Sequence, residues 1–247
     1  MEKAELLARL AEGHAARITV VTPNTRLSQA LVADFDAHQV GQGKTVWEAA
    51  DILPFGALVE RLYEDALYSP IVETSPEEFP LLLTPAQEHA IWADAVRAST
   101  RVLLSTEETA ADCARAWRTL HEWRIGEVSG NEDVQAFHEW AATYRRRTAR
   151  DIDAARLPDF LVPLLPRLKR PKLLVAYAFD LVKPQVRDFL DALAAQGVEV
   201  LECKPAPKAA SPSRAGFSSA KEELEAAAAW ARARLEDRGK RGNRCVS

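Results

Sequence analysis

Cysteine is scarce. Three occur among 247 residues, at Cys113, Cys203 and Cys245, odd in number and far apart. That spacing indicates neither a disulfide framework nor a zinc site, and it suits a reducing compartment, so a cytoplasmic location is expected. Long apolar runs are also missing. No stretch approaches the roughly 20 residues needed to span a bilayer, and no membrane contact is expected. The opening MEKAELLARLAEGHAARITVV carries Glu and Arg throughout and does not read as a signal peptide. Nor does charge of one sign prevail: 32 Lys and Arg stand against 36 Asp and Glu, for a net charge of −4. Any contact with nucleic acid must then come from a local cluster of cations. What is present is 47% hydrophobic and 28% charged, the composition of a globular protein with one large domain or two small ones.

The pattern along the chain is α/β, then helical, then α/β. Residues 2–12 predict a short amphipathic helix ended by Gly13. The β-branched run at Ile18, Val20 and Val21 predicts a buried parallel strand, broken by Thr22-Pro23-Asn24 and followed by a helix to about His38. Residues 44–53 suggest a second strand and a turn, and Pro54 sits in the first turn of a helix reaching Tyr68. A polar, Pro-rich connection over 69–80 leads to an all-helical stretch over 84–150, whose last helix spans Glu132–Arg150. Beyond a Leu/Pro-rich stretch, residues 172–179 and 198–202 predict strands flanking a helix over 183–196. A Pro/Ala/Ser loop over 204–216 and a helix over 219–236 follow. The simplest architecture is one parallel-sheet α/β domain split between 1–80 and 155–236, with a helical insertion over 81–154 and a disordered tail over 237–247.

Several constellations bear on chemistry. Gly41-Gln42-Gly43-Lys44-Thr45 has the GKT ending of a phosphate-binding loop. Such a loop needs a strand before it and a helix after it, and the order here is reversed, so a Gly-rich turn is the plainer reading. Thr22, Asn24 and Arg26 open a helix after a strand, where free N–H groups can meet a phosphate; an ordinary helix cap is the plainer reading of these residues by themselves. Pro158-Asp159 with Glu202-Cys203-Lys204 imitates the PD-(D/E)XK nuclease signature, in which two carboxylates hold a metal. Glu202 and Lys204 alternate onto one strand face, whereas Asp159 lies in a helical stretch. Arg145, Arg146 and Arg147 read either as a solvated helix end or as a phosphate-contact patch. The His-Glu-Trp triplets at 121–123 and 138–140 lack HExxH spacing, so the tryptophans are expected in the core.

Read together, the stretches 20–31, 46–63, 81–92, 173–193 and 222–235 resemble the N-terminal region of the AddB-like DNA repair proteins. Those are long bacterial chains with an inactivated superfamily 1 helicase fold and a C-terminal PD-(D/E)XK nuclease. The resemblance implies a helicase-like, P-loop NTPase-type α/β domain. It implies that Thr22–Arg26 touches single-stranded DNA and that Ile52–Phe55 lines the same path, with Phe55 and Trp47 as stacking residues. Asp180 would stand where an active motor has its Walker B acidic pair, and no second acid adjoins it. The segment 83–91 is similar to an adenine-reading Q motif, but no phosphate loop follows and no such role is assigned. The chain then reads as an N-terminal fragment without the family's nuclease. The leading expectation is an ATP-silent module with no catalytic residues, metal or cofactor of its own, which binds single-stranded DNA or a helicase/nuclease partner subunit. A small metal-dependent nuclease and a protein-interaction scaffold built on the helical insertion stand as alternatives.

Overall fold

The computed structural model describes residues 1–69, 79–101, 103–126, 128–205 and 214–242, the last six by backbone alone. Most of the expected 69–80 connection, most of the 204–216 loop and residues 243–247 of the expected tail lie outside them.

Helix α1 (Lys3–Leu10) precedes strand β1 (Ile18–Thr22), helix α2 (Thr25–Gly41), strand β2 (Ile52–Pro54) and helix α3 (Phe55–Leu67). A helical stretch follows, α4 (Pro85–Arg97), α5 (Thr106–Trp123) and α6 (Glu132–Arg147), bracketed by the two-residue strands β3 (Leu81–Leu82) and β4 (Asp151–Ile152). The chain then returns to α/β order with α7 (Leu157–Leu161), β5 (Leu173–Tyr177), α8 (Pro184–Ala195) and β6 (Glu199–Cys203). The main sheet has the order β2-β1-β5-β6 and is parallel throughout. β3 and β4 pair in parallel at the two ends of the helical stretch.

Alternation within the strands builds two cores. Val21, Leu174 and Ala176 face α3, α7 and α8, while Val20, Val175 and Tyr177 face α1 and α2. A third core fills the helical stretch, where the Trp92 and Tyr144 rings stack at 4.1 Å and Trp117 meets both edge-on. By density of contacts the chain divides into two units, Met1–Ala206 and Pro207–Ser247. Helix α9 (Ala220–Gly242) belongs to the second and runs past the expected end at 236. Among the described residues no helix is long and apolar enough to cross a membrane.

Some expected boundaries shift. Residues 44–47 form no strand; Val46 is 86% exposed, and the indole of Trp47 donates to Asp36 at 2.9 Å. Pro54 pairs with Thr22 as the last residue of β2, so α3 begins one residue later. α6 stops at Arg147, and the Thr148 hydroxyl donates to the Tyr144 carbonyl at 3.0 Å.

Candidate functional site at the sheet's carboxyl edge

The topology defines one crevice. From β1 the chain crosses by α2 to β2 on one side, while β5 crosses by α8 to β6 on the other. α2 and α8 cover opposite faces of the sheet. The carboxyl ends of β1 and β5 therefore flank a topological switch point, where open parallel sheets bind ligands. A cavity of about 260 Å³ lies there. Pro23 enters it from β1, Phe55 from β2, and Phe179 and Leu181 from β5, while α5 closes it with Arg118 and Glu122.

The walls are apolar and the mouth is charged. The Phe55 ring is fixed edge-on against Phe189, 5.6 Å between centroids. Phe179 reaches the wall through a break in strand alternation. Tyr177 and Ala178 both join the α1–α2 core, and the left-handed conformation of Ala178 (φ 59°) returns Phe179 to the opposite one. A non-glycine residue in that region carries backbone strain, and such strain concentrates at functional sites. At the mouth, Lys183 and Glu122 form an ion pair at 2.7 Å, and Glu60 and Arg118 line the same cavity.

Behind this cavity sits an ion-paired clamp. Arg124 adopts a left-handed conformation (φ 54°) at the end of α5 and grips Asp159 through two bonds of 2.8 and 2.6 Å. Its Nε also donates to Asp188 on α8 at 2.8 Å. Burial alone would push the Asp159 carboxyl up, but Arg124 and Gln185 outweigh it and hold the carboxyl below its ordinary value. The bonds Arg124 donates to Asp159, followed by the one to Asp188, likewise raise its guanidinium.

A second polar centre lies within the helical stretch. Asp153 is fully buried and accepts from the Trp117 indole at 3.2 Å, the Tyr144 hydroxyl at 3.1 Å and the Arg156 Nε at 2.7 Å. Burial, and then the nearby Asp153, raise the carboxyl of Glu88. Burial lowers His121, whose ring rests edge-on against Trp117.

The residues singled out from the sequence fall in several places. Thr22 is fully buried and its hydroxyl donates to the Asn24 carbonyl at 2.9 Å. The Asn24 side chain caps α2 by accepting from the Leu27 N–H at 3.0 Å, and Arg26 is exposed on the first turn. Of this stretch Pro23 lines the crevice, and Phe55 lies inside it, while Thr22, Asn24 and Arg26 are not among its lining residues. Arg145, Arg146 and Arg147 belong to α6 and line no part of this cavity. Arg145 lies over the Trp117 ring at 5.4 Å, Arg146 donates to Thr143, and Arg147 pairs with Asp94 at 3.3 Å. Of the His-Glu-Trp tryptophans, Trp140 is buried as expected, but Trp123 is 38% exposed at the end of α5.

The GKT segment is a helix ending. Gly41 is the last residue of α2, and Gly43 takes φ 78°. The Gly43 N–H donates to the Val40 carbonyl at 2.9 Å and the Lys44 N–H to the Gln39 carbonyl at 3.1 Å, the paired bonds of a Schellman cap. The N–H groups a phosphate cradle would offer are spent on carbonyls, and the negative end of the helix dipole lies there. Asp180 is exposed beyond β5. The nuclease-like trio is distributed over different elements: Asp159 is held by Arg124 and Gln185, while Glu202 on β6 meets Lys204, just past the strand's end, at 3.7 Å. Among the described residues no group of three or more His, Cys, Asp or Glu could hold a metal ion.

Arg118, Glu122, Arg124 and Lys183 were not singled out from the sequence. Their only local signal is a cluster of charges at the end of α5 facing the start of α8, and pairing them requires the tertiary fold. No protein-family model matches the chain, and a search of curated proteins finds no match either.

Proposed function

We propose that this chain is an ATP-silent, helicase-like module of a DNA repair helicase/nuclease, which contacts single-stranded DNA, or a partner subunit, at the carboxyl edge of its sheet. The observation that carries the reading is the cavity at the switch point, with the fixed Phe55 ring on its wall. A ring held in place can stack on an unpaired base without further ordering. The Schellman cap at Gly41–Lys44 supports the ATP-silent part, because it leaves that loop nothing with which to cradle a triphosphate. The resemblance to the AddB-like proteins supplies the DNA repair context.

Fluorescence anisotropy of a labelled oligothymidylate tests the reading. Binding is expected at low salt and is expected to weaken steeply as salt rises. Phe55→Ala removes one stacking surface and should weaken binding by about 1–3 kcal/mol. Replacing Arg145, Arg146 and Arg147 with Ala should flatten the salt dependence if that patch meets the phosphates. A flat titration at low salt would remove DNA from the proposal.

A further inference from the structure

The amino edge of the main sheet gathers cations from two places in the chain. Arg17 stands just before β1, and Arg167, Lys169, Arg170 and Lys172 lead into β5. The backbone locks the two groups together: the Lys172 N–H donates to the Arg17 carbonyl at 2.9 Å, and the Arg17 guanidinium donates to the Arg170 carbonyl. Arg170 is half-buried and turns its own guanidinium onto the Leu165 and Leu168 carbonyls. Those bonds orient the two arginines but bring no counter-charge. Arg17, Arg167, Lys169 and Lys172 are exposed, and among the described residues none of the five cations pairs with a carboxylate. The acids nearby are committed elsewhere. Asp51 accepts two bonds from Arg61 and one from Thr19, and Glu48 accepts from the His14 N–H at 2.6 Å. Glu199, whose N–H donates to the Lys172 carbonyl, sets one acid beside five cations. In a chain of net charge −4, such a cluster on a fixed backbone is a surface for a polyanion. The arginines of α6 differ, since Arg145 lies over Trp117 and Arg147 pairs with Asp94.

The side chains around the cluster select among polyanions. A membrane-surface site sets apolar side chains among its cations, and a single-strand site sets aromatic rings there for bases to stack on. Among the described residues no large apolar side chain is exposed over 14–19 or 160–172. Contact is then to phosphates alone, which positions a duplex without reading it, and duplex DNA offers a charge about every 1.7 Å along its axis. We propose that the amino edge of the sheet anchors a DNA duplex by its phosphates, without sequence preference. The contact stands on the cations; that the duplex is DNA rests on the function proposed above. β1 and β5 are five residues long, so this edge lies roughly 17 Å from the carboxyl edge, which lets the paired and unpaired arms of one junction take separate edges.

Anisotropy of a blunt, labelled DNA duplex titrated with the full chain tests this. Binding is expected at low salt, equal for two unrelated sequences and lost as salt rises. Arg167→Gln with Lys169→Gln and Lys172→Gln changes only exposed side chains and should reduce the slope of log affinity against log salt by about three. Arg167→Lys with Lys169→Arg and Lys172→Arg keeps the charge and should bind as the parent does. Phe55→Ala, at the opposite edge, should leave duplex binding unchanged. No duplex binding at low salt, a salt slope that the neutral variant leaves as it was, or tighter capture of polyglutamate or of phosphatidylserine vesicles than of the duplex would each overturn the proposal. An RNA duplex held more tightly than DNA of the same sequence would overturn the choice of DNA. Duplex binding without binding of oligothymidylate would support this surface and remove only the single-strand contact at the carboxyl edge.

Discussion

Asp153 shows what one residue can hold. Its carboxylate is fully buried and joins α5 through Trp117, α6 through Tyr144, and its own turn through Arg156. Removing one partner of a buried charged pair leaves the other uncompensated, so Asp153→Ala should cost about 3–5 kcal/mol in urea unfolding. Asp153→Asn keeps an acceptor and should cost less. The neighbouring Glu88 acts in the opposite sense. Its folded pKa is raised, chiefly by burial, so the fold is favoured while Glu88 is protonated and loses that contribution as pH rises through the folded value. Glu88→Gln should therefore stabilise the protein at neutral pH, and the gain should vanish below the ordinary carboxyl range, near pH 4. Equal stability of variant and parent at pH 7 would contradict this. Asp159 has the reverse sign. Its folded pKa is lowered, so its contribution is present above the unfolded value and lost as acid protonates it. None of these three roles is legible in the sequence, because each depends on side chains brought together from separate helices.

At the level of elements, legibility follows how local the cause is. β1, β5 and β6 are readable because buried parallel strands are short β-branched or leucine-rich runs between breakers. α8 is readable from Pro184 at its start, Gly197 just past its end, and its spaced apolar residues. β2 is not, since the β-like Val46-Trp47 precedes it and is used otherwise, Trp47 donating to Asp36. The GKT ending is the most instructive case. The same glycines that suggest a phosphate loop suit a helix end, and only the order of strand and helix separates the two readings. Gly43 holds φ 78° with open space around a would-be Cβ, so Gly43→Ala should cost about 1–2 kcal/mol from backbone strain alone. Lys44→Ala, whose backbone bond to Gln39 survives, should leave stability nearly unchanged in the same unfolding experiment.

For the molecule as a whole, α5 is the piece that joins the helical stretch to the α/β layers. Arg124 reaches Asp159 and Asp188, and Glu122 reaches Lys183. The elements run α/β, helical, then α/β, and all those from α1 to β6 belong to one unit, Met1–Ala206. Arg124→Ala should cost about 1–2 kcal/mol, with solvent screening already discounted because the pair is about a third exposed. It should also blunt the effect of the Phe55→Ala change on DNA binding, since the same clamp supports the cavity wall. Losses that simply add would argue that clamp and cavity are independent.

The cap at Gly41–Lys44 bears on where work could come from. Motors advance by letting a bound fuel molecule switch a cleft between two shapes. A helix tail tied down by its own carbonyls has one. Under the function proposed above, a strand lying across the sheet's carboxyl edge is gripped but not hauled, and whatever travels along it does so on power delivered by a neighbour.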